Sequence, residues 1–303
     1  MNRRQFVALP GVLPAAAVEP GSLKNLDLAV KREIEGFGGE VCLYAKNLGT
    51  GAAYGVREDE RVRTASTIKL PVMAAVFAQV RAGQAKWDEQ LTLREEDKIP
   101  GSGVLSEFSG GVKLPLRDVV HLMIVVSDNT ATNLVLDRFT ANAVNDYLDG
   151  LGLKETRSLR KVRGDGNQLK APSGWSKAGQ VEANKKYGLG VSTSREMVEL
   201  LAMLDRGAVG TAEDSKEMLA ILERQQYKDG IGRMLAEFKV QSKSGALDAL
   251  RSDVGVVTTP KGRVAMALTV DGMRGVDYTA DNAGLVLIGR LAPILCRGLG
   301  ILG

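Results

Sequence analysis

Strand-like runs in this chain gather at its two ends, and the long middle is written in helical period. Near the start, residues 40–46 (Glu-Val-Cys-Leu-Tyr-Ala-Lys) and 52–56 (Ala-Ala-Tyr-Gly-Val) are short apolar runs. Asn47-Leu48-Gly49-Thr50-Gly51 lies between them and supplies a turn, so the pair reads as a hairpin. Three more runs, 239–244, 253–259 and 263–270, sit near the other end, the last two joined by Pro260-Lys261-Gly262. Between the two sets, 116–128, 130–140 and 194–206 carry apolar residues at helical spacing, and 213–226 and 231–238 extend the pattern. A sheet fed from both ends makes the middle an excursion. The expected fold is α+β with two lobes. Its antiparallel sheet is flanked by helices, 19–64 and 208–303 build an α/β lobe, and 65–207 form an inserted all-α lobe. The closing apolar segment 281–299 is interrupted by Arg290 and Arg297, which predicts a helix packed on the sheet rather than a membrane span.

The residue inventory narrows the chemistry. One histidine, His121, and two distant cysteines, Cys42 and Cys296, cannot build a histidine-rich or Cys-x-x-Cys metal site. No metal or cofactor is expected. A Ser-His-Asp triad would rest on His121 alone, inside an apolar helix, so a nucleophilic enzyme here needs lysine or a carboxylate as its base. The cysteines either pair or stay as buried thiols. A formal charge of +4 and an aromatic content of 5% argue against a nucleic-acid partner. At the N-terminus, Arg3-Arg4 precedes a short apolar stretch ending in Ala15-Ala16-Ala17, the pattern of a twin-arginine export signal over residues 1–18. The expected location is therefore periplasmic or secreted.

Thr64-Ala65-Ser66-Thr67-Ile68-Lys69 opens a helix, Leu70 to Ala78, that is apolar on every face and hence destined for the interior. A serine at the mouth of such a helix meets unpaired N–H groups and the positive dipole end, and Lys69 lies one turn deeper on the same face. Alone, Ser-x-x-Lys is a cap and a surface lysine. Two further motifs change its weight. Ser127-Asp128-Asn129 follows the apolar run 122–126, and Lys243-Ser244-Gly245 stands in a strand, where glycine permits close approach of another group.

In this order, the three motifs resemble those of the serine β-lactamases and penicillin-binding proteins, most closely the class A β-lactamases. The resemblance covers about residues 25 to 300, with serine in the third motif where threonine is commoner. It implies that Ser66 attacks a β-lactam carbonyl to form an acyl-enzyme and that Lys69 takes its proton. Ser127 would relay a proton to the leaving nitrogen, and Asn129 would hold the substrate's side-chain amide. The N–H groups of Ser66 and Ala246 would form the oxyanion hole. Lys243, Ser244 and Arg251 would hold the substrate carboxylate, Arg251 being otherwise a strand-edge arginine. The family's hydrolytic members carry a glutamate followed four residues later by asparagine. No acid between 154 and 192 has that spacing, and Glu182, with Asn184 two residues on, is the nearest. Glu182 is either the deacylation base or a solvated loop residue. The expected function is a monomeric, exported β-lactam hydrolase serving antibiotic resistance. A D-alanyl-D-alanine peptidase acting on peptidoglycan stem peptides, or a penicilloyl-binding sensor, is the alternative.

Overall fold

Five antiparallel strands in the order β2-β1-β10-β9-β8 join the two ends of the chain edge to edge in the computed structural model. The structure describes residues 20–162 and 174–303; the export pattern at 1–18 lies outside them. From the N-terminus, α1 (Pro20–Ile34) leads into β1 (Glu40–Asn47), β2 (Ala53–Val56) and the short β3 (Val62–Arg63). A 3-10 turn, Ala65–Ile68, runs directly into α2 (Lys69–Arg81). There follow β4 (Gln90–Thr92), β5 (Lys113–Pro115), α3 (Leu116–Val125), α4 (Asn129–Phe139) and α5 (Ala141–Gly150). Short pieces come next: β6 (Arg157–Ser158), α6 (Lys177–Gln180), α7 (Glu182–Lys185) and β7 (Gly190–Ser192). The chain then runs through α8 (Ser194–Asp205), α9 (Ala212–Glu223), β8 (Lys239–Leu247), β9 (Leu250–Thr259), β10 (Gly262–Asp271) and α10 (Ala283–Gly298).

Alternation along the strands decides which core each residue joins. Val41, Leu43 and Ala45 of β1, with Val264, Met266, Leu268 and Val270 of β10, face α1 and α10 and form one core with Leu26, Val30, Leu291 and Leu295. Tyr44, Val254, Val256, Ala265 and Ala267 point the other way, into a core shared with α2, α3, α4, α8 and α9. Both faces of the sheet are covered, which is why β9 is buried along almost its whole length. Cys42 and Cys296 are both free and buried. Cys296 sits in the α1–α10 core, whereas Cys42 alternates with Val41 and Leu43 and faces the opposite side.

Every residue of α2 from Lys69 to Phe77 is buried. Each large side chain, such as Leu70 or Met73, contributes about 1.5–3 kcal/mol to burial there. One expected helix is absent: residues 231–238 form successive tight turns, with Arg233 N bonded to Gly230 O, Leu235 N to Gly232 O and Phe238 N to Leu235 O. Gly230 and Gly232 disfavour a helix, and the Asp253 carboxylate takes the Ile231 N–H at 2.9 Å. No helix among the described residues is long and apolar enough to cross a membrane.

Candidate active site

Ser66 stands half-buried in the turn ahead of α2, on a segment clamped from both sides. On one side runs β8. A Cβ on Gly245 would lie 2.8 Å from Thr64 O and 3.0 Å from Ser66 N, so only glycine lets the strand come this close. On the other side lies β7, where a Cβ on Gly190 would meet Ile68 Cγ1 and Thr64 Oγ1 at 2.7 Å. Thr64 N also donates to Gly190 O at 3.1 Å. Between these walls Ala65 adopts φ +46°, a left-handed conformation that costs a residue with a Cβ about 1–3 kcal/mol and persists because its surroundings over-determine it.

One turn on, Lys69 is fully buried. Its Nζ donates to Ser127 O at 2.6 Å, Asn129 Oδ1 at 3.1 Å and Ser127 Oγ at 3.2 Å. From β8, Lys243 Nζ donates to the same Ser127 Oγ at 3.0 Å and to Ser244 O at 2.7 Å. The Ser127 hydroxyl therefore lies between two buried amines, on a residue that itself holds φ +55°. Burial, and after it the neighbouring Lys243 charge, hold the Lys69 ammonium well below the usual lysine range, with Asp128 opposing weakly. Burial also brings Lys243 down to about 7, against the pull of Asp253. A neutral Lys69 keeps two N–H donors for Ser127 O and Asn129 Oδ1 and frees a lone pair. That lone pair can accept a proton from a hydroxyl beside it.

Asp128, which reads from sequence as an ordinary cap, has a larger task. It is 1% exposed, and its Oδ2 accepts from Val104 N at 2.6 Å and Leu105 N at 2.8 Å. Its Oδ1 takes Ala131 N, capping α4. Asn129 N donates to Ser102 O and its Nδ2 to Pro100 O. The 100–105 loop is thus fastened to the Ser127–Asn129 turn, and Ser102 comes to line the same cavity as Ser66.

That cavity holds about 180 Å³ and takes in Ser66, Ser127, Ser244, Ala246, Arg251 and Tyr278. Its back wall is the free edge of β8. Ser244 N donates out of the ladder to Gln225 Oε1, so two residues on Ala246 presents its N–H on the same side. This places the Ser66 and Ala246 amides on either side of the Gly245 contact, where two donors can converge on one oxygen. Arg251 is 2% exposed. It donates to Leu247 O at 2.5 Å, Leu250 O at 2.6 Å and Asp277 O, and stacks 4.7 Å from the Tyr278 ring. Its hydrogen-bond partners are carbonyls, none of them a carboxylate, and the Asp277 and Asp248 carboxylates act on its charge only through space.

The family model described as "Beta-lactamase enzyme family" matches residues 25–298. The chain belongs to that family. A beta-lactamase from Rhodobacter capsulatus is 29% identical over 147 residues, 48% of this chain and 50% of its own. The chain spans about half the length of the curated relatives it matches in this way. Among solved structures, a beta-lactamase from Sphaerobacter thermophilus shares the fold with a TM-score of 0.78 and 31% identity, over 92% of this chain and 98% of its own. A protein named PBP-A is similar at a TM-score of 0.77 and 25% identity, over 92% of this chain and 97% of its own. The antiparallel sheet with helices on both faces is the beta-lactamase fold.

Against this family frame, Glu182 stands apart from the other expected site residues. Its side chain is 85% exposed on α7 and pairs with Lys185 at 2.5 Å. It does not line the cavity of Ser66; among the described residues the one carboxylate that does is Asp229. The spacing to Asn184 misled because two residues apart on a helical turn face different ways. Asn184 points inward, accepting from Arg61 and donating to Ala178 O, while Glu182 points to solvent. His121 also lies elsewhere, lining a separate cavity with Phe77 and Trp87 and donating from Nδ1 to Arg117 O at 2.7 Å. Gln225 is a site residue that the motifs did not flag.

Proposed function

We propose that this chain is an exported class A-like serine hydrolase that opens β-lactam rings through an acyl-enzyme on Ser66 and so confers resistance. The observation that carries the reading is the Ser127 hydroxyl held between Lys69 and Lys243 at 3.2 and 3.0 Å, beside a serine at the head of a buried helix. Ser66 Oγ attacks the ring carbonyl while the Lys69 amine takes its proton. The developing oxyanion lies between the N–H groups of Ser66 and Ala246, often the largest single contribution to such a step. The ring C–N bond breaks, and the leaving nitrogen receives the Ser127 proton. Lys243 stabilises the resulting oxygen, and the proton held on Lys69 returns to Ser127. The buried charge of Arg251, with Lys243 and Ser244, supplies a seat for the substrate's carboxylate, and Asn129 one for its side-chain amide. Substrate and protein provide every atom of this step.

A second reading has its own support. Glu182 is solvated and ion-paired, which favours an enzyme that acylates readily and releases its product slowly, as a D-alanyl-D-alanine peptidase or a penicilloyl sensor would. One experiment separates the readings. Mixed with a chromogenic cephalosporin, a hydrolase turns over continuously, while an acylating protein gives a burst of one equivalent and stops. Ser66→Ala should abolish the covalent adduct seen by mass spectrometry and leave the circular dichroism spectrum unchanged. An adduct on the Ser66→Ala protein would remove Ser66 from this role.

A further inference from the structure

Behind the Lys243–Ser244 pair lies a buried glutamine that no step above employs. Gln225 is 1% exposed and follows the end of α9. Its Oε1 accepts from Ser244 N at 2.7 Å, Ser244 Oγ at 2.9 Å and Lys243 Nζ at 3.4 Å. Its Nε2 donates to Ser242 Oγ at 3.0 Å and Tyr227 O at 3.3 Å. Only one orientation of the amide serves all these partners. Flipped, it would set an NH2 group against an ammonium and a backbone N–H, and a carbonyl against a carbonyl. The Ser242 hydroxyl in turn bonds the Asp253 carboxylate. A chain of hydrogen bonds thus runs from a buried acid through Ser242 and Gln225 to Ser244 and Lys243, each link polarising the next.

We propose that Gln225 is a positioning residue that holds the strand edge at Ser244 and the Lys243 ammonium in the geometry that receives the substrate's carboxylate. The proposal rests on the reading of this cavity as a β-lactam site. Ser244 has one hydroxyl proton, and in the empty cavity it goes to Gln225 Oε1. An arriving carboxylate draws that proton toward itself, and Oε1 keeps the Ser244 N–H and Lys243 as donors. The hydroxyl therefore turns while the strand edge stays pinned. Gln225 acts on the half of the substrate that bears the carboxylate and not on the scissile carbonyl.

The test is the rate at which Ser66 is acylated by a penicillin and by its methyl ester, followed by mass spectrometry. Gln225→Met removes the acceptor at nearly constant volume. The preference for acid over ester should fall by about tenfold, the worth of a lost neutral hydrogen bond at a binding group, with the ester rate within about threefold of the parent. On a Ser244→Ala background the same substitution should still cost about tenfold, because Gln225 acts through the Ser244 N–H and Lys243, which that background keeps. Equal slowing of acid and ester, or disappearance of the effect on that background, would overturn the proposal. Gln225→Leu also removes the acceptor and serves if the methionine protein does not fold. It should show the same roughly tenfold fall in acid preference, and an unchanged preference overturns the proposal too. A parent protein acylated by neither compound overturns the β-lactam reading and this proposal with it.

Discussion

Replacing Gly245 by alanine should damage the reaction more than it damages the fold. The added Cβ would stand 2.8 Å from Thr64 O, 3.0 Å from Ser66 N and 3.1 Å from the Ala65 Cβ. Two of these neighbours are backbone atoms, and carbon needs roughly 3.5 Å to its neighbours for a comfortable contact, so β8 and the Ser66 turn must part by about half an ångström. The turn has little room to retreat, since Gly190 and the Thr64 N–H bond close it from behind. The strain falls on the gap between Ser66 N and Ala246 N. Donors useful to an oxyanion lie within a few tenths of an ångström of 2.9 Å, so a half-ångström opening takes one out of range, at a cost of about 10²–10³ in kcat. Overpacking costs about 1–3 kcal/mol of folding stability, which lowers the melting temperature by several degrees without unfolding the protein. Steady-state turnover of a chromogenic cephalosporin and a thermal melt report the two quantities separately. A Gly245→Ala protein with parental kcat would show that the Gly245 contact does not set the oxyanion geometry.

Three further outcomes are expected from the same geometry and sequence. Burial and Lys243 hold the Lys69 pKa well below the usual lysine range, so the amine is neutral above that lowered value. Acylation should rise with pH through it and then level, and Lys69→Arg should lose about 10²–10⁴-fold; a rate still climbing in the ordinary lysine range would refute the assignment. Glu182→Gln should leave both acylation and turnover within about twofold of the parent, because a solvated ion pair at this distance from the cavity is worth little; adduct accumulating in that variant would restore Glu182 as a base. Changing Arg3 and Arg4 to lysine should trap uncleaved precursor in the cytoplasm if export uses the twin-arginine route, and normal processing on an immunoblot would exclude that route.

Much of the architecture is legible because the relevant forces are local and periodic. The α2 helix, apolar on all sides, could only be interior, and it is buried from Lys69 to Phe77. The β9–β10 hairpin follows its turn residues, with Gly262 at φ +146°. The α1 helix shows the opposite case. Leu23, Leu26, Val30 and Ile34 recur at helical spacing, but the pattern borders the expected export signal and is short enough to be lost beside it. Residues 231–238 mislead because their apolar spacing is helical while their amides are claimed by a distant acid, Asp253, and by tight turns at glycine. The site divides along the same line. Motifs reveal residues whose chemistry is unusual, such as a lysine at a buried helix start. They are silent on Gln225 and on the loop-fastening work of Asp128, whose importance lies wholly in partners far away in sequence.

The two lysines pose an electrostatic problem whose solution assigns their roles. Both touch Ser127 Oγ, and two ammonium groups sharing one hydroxyl in a desolvated pocket repel strongly, so a single proton between them is the favoured state. Which lysine keeps it depends on the counter-charges. Beside Lys69 the nearest acid is Asp128, but its two oxygens already serve the amides of Val104, Leu105 and Ala131. Lys243 faces the buried Asp253 on the adjacent strand, linked to it through Ser242 and Gln225. Asp253 Oδ1 has no hydrogen-bond partner of its own, so its charge remains available to the field at Lys243. The counter-charges therefore favour the proton on Lys243. Under the proposed function Lys69 would then be the neutral amine that accepts the nucleophile's proton, and Lys243 the cation that holds Ser127 and attracts an anionic substrate. Environments that push two like groups apart in pKa are how one site obtains both an acid and a base. Here the asymmetry comes from Asp128 spending both oxygens on backbone amides while Asp253 keeps one oxygen unpaired behind the strand.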